Sequence, residues 1–352
     1  MNKLIVAVVF GGCSNEYSVS LQSAAYIVEQ IDRTLYDVVM VGITKEGHWL
    51  TYRGDTDSIR QDSWHQHPSC LPAFIAPSRE IGGIVELVQT EYRTIKVDVV
   101  FPALHGKYGE DGTVQGLLQL AGIPYVGCDS FASVLAMDKV VAHTIVQACG
   151  ITVPNSMTVY DGDRISEVIA AATDLTFPLF VKPVKSGSSI GITKVNEISQ
   201  LEESIALAFT HDNKVTIEEN IVGFEVGCAM LGYDDPKIGV LDEIEISTDF
   251  FDFTEKYQLL HSAIHVPARI NEAVAERVKE QARTIYKHLG LSGLARIDFF
   301  ITPDLQVVFN EVNTMPGFTE HSRYPKMMQA SGINARACIQ YLIQTAVQGG
   351  VQ

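Results

Sequence analysis

Two carboxylates and a carboxamide, Asp298, Glu311 and Asn313, sit on apolar runs that flank the turn signal Pro303-Asp304. The runs Ile297 to Ile301 and Val307 to Phe309 read as the strands of a hairpin, which gathers the three side chains near one another. Hard oxygen donors of this kind suit Mg²⁺, a cation that keeps open positions for phosphate oxygens. An isolated pair of acids would equally well solvate a sheet edge, so other phosphate-handling residues must accompany them.

Lys182 provides one, on the apolar stretch Phe177 to Pro183 ahead of the loop Lys185-Ser186-Gly187-Ser188-Ser189-Ile190-Gly191. Backbone N–H groups and an ammonium could converge there on phosphate. The loop has neither the G-x-x-x-x-G-K-[ST] order of a P-loop nor the G-x-G-x-x-G dinucleotide fingerprint, and a plain exposed turn is the alternative. Glu218-Glu219-Asn220-Ile221 and then Glu225 offer carboxylates and main-chain groups to an adenine amine and ribose hydroxyls, although a charged strand end explains them too. His105 sits at a strand terminus, where ligand-contacting residues gather, beside a tight acidic turn of Gly106, Gly109, Glu110, Asp111 and Gly112. The run Phe250 to Tyr257 mixes aromatic with polar residues without strict alternation, which predicts a loop packed over a site; a half-buried strand is the alternative.

The elements that must carry these residues are α/β, with α+β parts. Leu4 to Phe10 is a continuous apolar strand, a turn spans 11–15, and Leu21, Ala24, Val28 and Ile31 fall at helical spacing after a Ser18 or Ser20 cap. Strand Val38 to Ile43 completes a parallel βαβ unit, whose sites lie at the carboxyl ends of its strands. Residues 46–92 look irregular, an insertion or hairpin excursion, and the sheet resumes at Val97 to Phe101. Helices follow over Phe131 to Cys149, then an edge strand at Phe177 to Pro183, a strand at Ile192 to Val195 and another at Lys214 to Glu219. A long amphipathic helix covers Ile270 to Leu289. Three domains are predicted: residues 1–124, a substrate-binding unit; 125–220, a central unit; and 221–352, with the cation hairpin.

The 352 residues suffice for that many cores. A formal charge of −16 excludes nucleic acid and anionic membrane as main partners, since both reward basic surfaces. Six scattered cysteines form no C-x-x-C pair, so neither a zinc site nor a disulfide framework is expected, and a reducing cytoplasm fits. The apolar stretch after Lys3 is short for a signal peptide, and no run reaches the roughly 18 apolar residues of a membrane span.

Seven segments in order, Phe10-Gly11-Gly12…Glu16, Leu104-His105-Gly106…Glu110-Asp111-Gly112, Met137-Asp138-Lys139, Lys182-Pro183…Gly187-Ser188-Ser189, Phe251-Asp252…Lys256-Tyr257, Ala295-Arg296-Ile297-Asp298 and Asn310 to Gly317, resemble the D-alanine–D-alanine ligase family of ATP-grasp enzymes. The resemblance spans essentially the whole chain. It implies a three-domain ATP-grasp architecture and a reaction in which a D-amino acid carboxylate attacks the γ-phosphate of ATP, after which a second substrate's amine displaces phosphate from the acylphosphate. It implies that Glu16, Val19, His105 and Arg296 hold substrate and that Glu16, Ser188 and Tyr257 form a triad locking the loop. Lys139, Lys182, Ser188, Ser189 and Lys256 would face the phosphates. Glu218, Glu219, Asn220, Ile221, Glu225, Phe250, Phe300, Asn310 and Glu311 would surround the nucleotide. Asp298, Glu311 and Asn313 would bind two Mg²⁺, with Mn²⁺ as a substitute, and Arg296 with the Gly317 amide would stabilise the tetrahedral intermediate. A cytoplasmic homodimer is implied by the same resemblance alone.

Two departures fall in the pocket for the second substrate. Arg323 follows Ser322 where the D-alanine–D-alanine ligases typically carry leucine, and Phe251 stands where they typically carry tyrosine. A cation in place of an apolar wall suits a hydroxymethyl side chain. The combination resembles the D-alanine–D-serine ligases of vancomycin resistance, the VanG type most of all. D-lactate-forming relatives usually lose the loop tyrosine, which is Tyr257 here. A housekeeping D-alanine–D-alanine ligase, or an inactive nucleotide-binding scaffold, are the alternatives; the retained Lys139, Lys182, Arg296, Asp298, Glu311 and Asn313 speak against the latter.

Overall fold

Strand β1 (Leu4–Gly11) lies at the centre of the first sheet, with Val6 to Phe10 fully buried. It pairs in parallel with β2 (Tyr36–Ile43) on one side, and its crossover helix is α1 (Tyr17–Gln30). The expected serine cap is absent: Glu16 is the N-cap, and Ser18 and Ser20 lie inside the helix. Ser20 Oγ instead accepts from Gly11 N–H at 2.7 Å and donates to the Ala103 carbonyl. A buried tertiary staple has replaced the local cap.

The computed structural model describes residues 3–246 and 262–349. Within them residues 46–92 are ordered rather than irregular, and of the two expectations for them the hairpin excursion holds. β3 (Trp49–Tyr52), helix α2 (Thr56–Arg60), β4 (Leu71–Ile75), β5 (Gly83–Val88) and β6 (Glu91–Lys96) extend the sheet antiparallel, and β7 (Val99–Ala103) closes it in the order β6-β5-β4-β3-β2-β1-β7. These strands are short, and most of β6 faces solvent, so alternation is hard to read from sequence. Trp64 anchors the excursion, buried with its ring 4.9 Å from that of Phe10 and 6.2 Å from that of Tyr52.

Helices α3 (Thr113–Ala121), α4 (Ser130–Met137) and α5 (Lys139–Ala148) lead to a second, antiparallel sheet. It contains β8 (Ser156–Tyr160), β9 (Leu179–Pro183), β10 (Thr193–Val195) and β11 (Lys214–Glu219), in the order β10-β9-β11-β8, with α6 (Ile165–Ala171) and α7 (Leu201–Phe209) on its apolar face. β9 is an inner strand, not the predicted edge. It tolerates its prolines because Pro178 precedes the first residue and Pro183 is the last.

The third sheet runs β15 (Ser262–His265), β14 (Asp242–Ile246), β12 (Phe224–Gly232), β16 (Gly293–Ile301), β17 (Val307–Asn313), and β13 (Lys237–Ile238) pairs with β12 off that path. The long helix α8 spans Glu272–His288, close to the predicted range, with Asn271 accepting from Val274 N–H at 2.9 Å as its cap. Helices α9 (Arg323–Ala330) and α10 (Ala335–Gly349) pack Tyr324, Met327, Ile339 and Ile343 into one core with Val6, Val8 and Phe101 of the first sheet and Ala229, Leu231 and Leu294 of the third. That shared core sets the loops of the first sheet against the carboxylate strands of the third. Among the described residues no helix is long and apolar enough to cross a membrane.

Candidate active site

β16 and β17 form the predicted hairpin, and their antiparallel register sets Asp298 opposite Glu311 and Arg296 opposite Asn313. Residues two apart on a strand share a face, so all four side chains emerge together. Arg296 Nε reaches Asp298 Oδ1 at 2.8 Å and its Nη2 reaches Oδ2 at 2.7 Å. Burial pushes the Asp298 carboxyl up, but Arg296 and then Arg323 outweigh it and hold the group below the usual carboxylate range. Asn313 Nδ2 donates to Asp298 Oδ2 at 3.0 Å, which turns the amide oxygen into the atom a cation would meet. Two opposed carboxylates and an amide oxygen fit a hard divalent cation.

Two clefts meet at this hairpin. The first, with an empty volume of about 930 Å³, is lined by Lys139, Lys182, Ser189, Glu218, Glu219, Asn220, Ile221, Glu225, Phe300, Asn310 and Glu311, the residues expected around a nucleotide. Sequence reasoning missed Pro154, Phe180, Ser186, Ile192 and Gly223 in the same wall, since single apolar or small residues carry no signal there. Lys182 Nζ lies 2.6 Å from Glu218 Oε2, and Lys139 Nζ lies 2.8 Å from the Ser186 carbonyl and 3.5 Å from Glu311 Oε2. Burial raises the Glu218 carboxyl, yet Lys182 and then His143 bring it below the usual range. Its Oε1 is buried with no hydrogen-bond partner among the described residues, so it can accept from an amine such as that of adenine.

The second cleft is lined by Glu16, Val19, His105, Glu110, Ser188, Arg296, Asn313, Gly317, Ser322 and Arg323. Ser188 Oγ donates to Glu16 Oε1, and a Cβ built on Gly187 would stand 2.7 Å from Glu16 Oε2, so a side chain there would push the Glu16 carboxylate aside. Both ring nitrogens of His105 are engaged: Nε2 lies 2.9 Å from Ser23 Oγ and Nδ1 lies 2.8 Å from the Met315 carbonyl. Burial lowers its pKa against the pull of Glu16. Glu110, left without a role by the sequence reading, accepts from Gly106 N–H at 2.7 Å and from Met315 N–H at 3.0 Å. Burial, and after it the Glu16 carboxylate, pushes the Glu110 carboxyl up to about 8, against these two bonds.

Arg323, at the start of α9, has its guanidinium engaged by acids. Nε and Nη2 fork onto Asp242 at 2.7 and 2.9 Å, and Nη1 lies 2.6 Å from Glu225 Oε1. Asp242 was invisible in the sequence because it partners a residue 81 positions away. Gly227 permits the cluster: a Cβ there would lie 2.5 Å from both Asp242 Oδ1 and Arg323 Nη2. Phe250, Phe251, Lys256 and Tyr257 lie outside the described residues.

A bound nucleotide in one cleft and an amino acid in the other would meet at the cation hairpin, as phosphoryl transfer to a carboxylate requires. Family models described as D-ala D-ala ligase N-terminus and D-ala D-ala ligase C-terminus match residues 5–128 and 145–344. The chain belongs to the D-alanine–D-alanine ligase family, and its sheets form the ATP-grasp fold of that family. It is similar to the crystal structure of VanG D-Ala:D-Ser ligase from Enterococcus faecalis, with a TM-score of 0.91 and 48% identity over 98% of this chain and 100% of that one. The vancomycin B-type resistance protein VanB of Enterococcus faecalis is 43% identical over 99% of this chain and 100% of its own length. A D-alanine–D-alanine ligase of Caldicellulosiruptor bescii is 41% identical over 99% of this chain and 96% of its own.

Proposed function

We propose that the chain joins D-alanine to D-serine at the expense of ATP, releasing ADP and phosphate, and so makes an altered peptidoglycan precursor that confers vancomycin resistance. The observation that carries the ligase reading is that the two clefts meet at the β16–β17 hairpin, Glu311 lining one and Asn313 the other, with neighbouring Ser189 and Ser188 in one wall of each.

In this reading Glu16 holds the ammonium of D-alanine, with Val19 and His105 beside the substrate. The D-alanine carboxylate oxygen attacks the γ-phosphorus, the bond to the β,γ-bridging oxygen breaks, and ADP leaves. The amine of D-serine then attacks the acylphosphate carbonyl, Arg296 and the Gly317 N–H stabilise the oxyanion, and phosphate departs. Asp298, Glu311 and Asn313 hold Mg²⁺, which neutralises phosphate charge when bound. Lys139 and Lys182 orient the phosphates, and Glu218 to Ile221 with Glu225 hold the adenosine.

D-serine as second substrate is supported by the Arg323–Asp242 ion pair beside Ser322. The guanidinium is held by carboxylates rather than aimed alone at substrate, so the hydroxymethyl group meets a hydrogen-bonding wall instead of leucine. The likeness to VanG D-Ala:D-Ser ligase supports the same reading. A D-alanine–D-alanine ligase is the second reading, because VanB and the Caldicellulosiruptor enzyme stand almost level at 43% and 41%. Comparing kcat/KM for D-serine and D-alanine as second substrate near neutral pH separates the two. A tenfold preference for D-alanine, about 1.4 kcal/mol, overturns the D-serine assignment. Phosphate release that needs no D-amino acid overturns the ligase reading.

A further inference from the structure

The loop after β17 hangs from the first sheet's side of the molecule by three hydrogen bonds. Met315 N–H donates to Glu110 Oε1 at 3.0 Å, the Met315 carbonyl accepts from His105 Nδ1 at 2.8 Å, and Phe318 N–H donates to Ser23 Oγ at 3.2 Å. Pro316 has no N–H to place. Within Met315 to Phe318, Gly317 N–H alone makes no hydrogen bond among the described residues, and Gly317 lines the amino-acid cleft. The suspension holds its neighbours and leaves this one donor for a ligand.

Glu110 is the centre of the suspension. Its Oε2 accepts from Gly106 N–H at 2.7 Å while its own N–H donates to the Gly106 carbonyl at 2.9 Å, which closes the turn that bears His105. The same carboxyl therefore stiffens the histidine turn and pins Met315. Asn313 of the cation hairpin lies two residues before that pin and Gly317 two residues after it.

We propose that Glu110 is a positioning residue for the Gly317 amide, fixing the donor at the place where negative charge develops on the tetrahedral intermediate. This rests on the ligase reading above. An oxyanion donor acts only where the oxyanion forms, and a shift of about 1 Å is enough to lose most of its effect. Glu110 accepts on both oxygens, which its hydroxyl oxygen can still do when the carboxyl is protonated, whereas the amide nitrogen of glutamine has no acceptor lone pair and would face a donor.

The experiment is steady-state dipeptide synthesis by the full chain and by Glu110→Gln, with Tm measured with and without ATP and Mg²⁺. The expected result is a kcat lower by on the order of 10- to 100-fold, with KM for ATP within about twofold of wild type and the ATP-induced rise in Tm intact. A kcat within about twofold of wild type, or a loss confined to KM for ATP, overturns the proposal. If Glu110→Gln loses the ATP-induced rise, Glu110→Asp, which keeps two acceptor oxygens on a shorter arm, decides by the same criteria. A wild-type chain that makes no dipeptide overturns the ligase reading instead, so the two failures are told apart.

Discussion

Ser188 Oγ donates to the carboxylate of Glu16 across 172 residues of sequence, and this bond ties the glycine-serine loop to the start of α1. A hydrogen bond to a charged acceptor contributes about 1.5–3 kcal/mol. Ser188→Ala should therefore lower kcat/KM for the first D-amino acid by roughly 10- to 100-fold. Steady-state kinetics with ATP saturating would measure it, and an unchanged value would remove the bond from the working enzyme.

Arg323→Leu removes the partner of Asp242, which is fully buried. Stranding one member of a buried pair costs about 3–5 kcal/mol, so Tm should fall clearly. Replacing Asp242 by leucine in the same chain should recover part of that loss, because an apolar pair carries no uncompensated charge. The ratio of kcat/KM for D-serine to that for D-alanine should drop in the single variant. Product analysis on mixed substrates would show it, and an unchanged ratio would show that Arg323 does not select.

Glu311→Gln weakens the cation hairpin without removing its hydrogen-bonding shape. The Mg²⁺ concentration for half-maximal activity should rise by about tenfold or more. In the wild type, chelation should abolish phosphate release and Mn²⁺ should restore it. Activity that survives full chelation would contradict the role given to Asp298, Glu311 and Asn313.

The Lys182–Glu218 pair should leave a mark on acid stability. Glu218 has a folded pKa below its ordinary 4.5, so its contribution is fully present above that value and is lost as pH falls through the folded one. As pH falls through and below about 4.5, wild-type Tm should fall more steeply than that of Glu218→Gln. Parallel Tm curves over this window would refute the prediction.

The parallel strands, the hairpin and the long helix were legible because each rests on local pattern: continuous apolar runs for β1 and β7, a turn between two runs for β16 and β17, and helical periodicity for α8. The excursion over residues 46–92 was not, because its strands gain stability from distant partners. Trp64 fills the space above Gly42, and Glu86 is buried against Thr51, Arg53 and Arg93. The charged and polar lining of the first cleft could be anticipated through motif likeness, but Pro154, Phe180, Ser186, Ile192 and Gly223 could not. Asp242 and Glu110 could not, since each acts on a partner that only the fold brings near.

Ser188 and Ser189 are consecutive, yet one lines the second cleft and the other the first. Any ligand that settles this short segment in one chamber also prepares the other. Affinity for D-alanine should then rise when nucleotide is present, and thermodynamic reciprocity demands that D-alanine tighten nucleotide by the same factor. Peptide synthesis would thus favour the doubly loaded enzyme over either singly loaded one, whichever ligand arrives first.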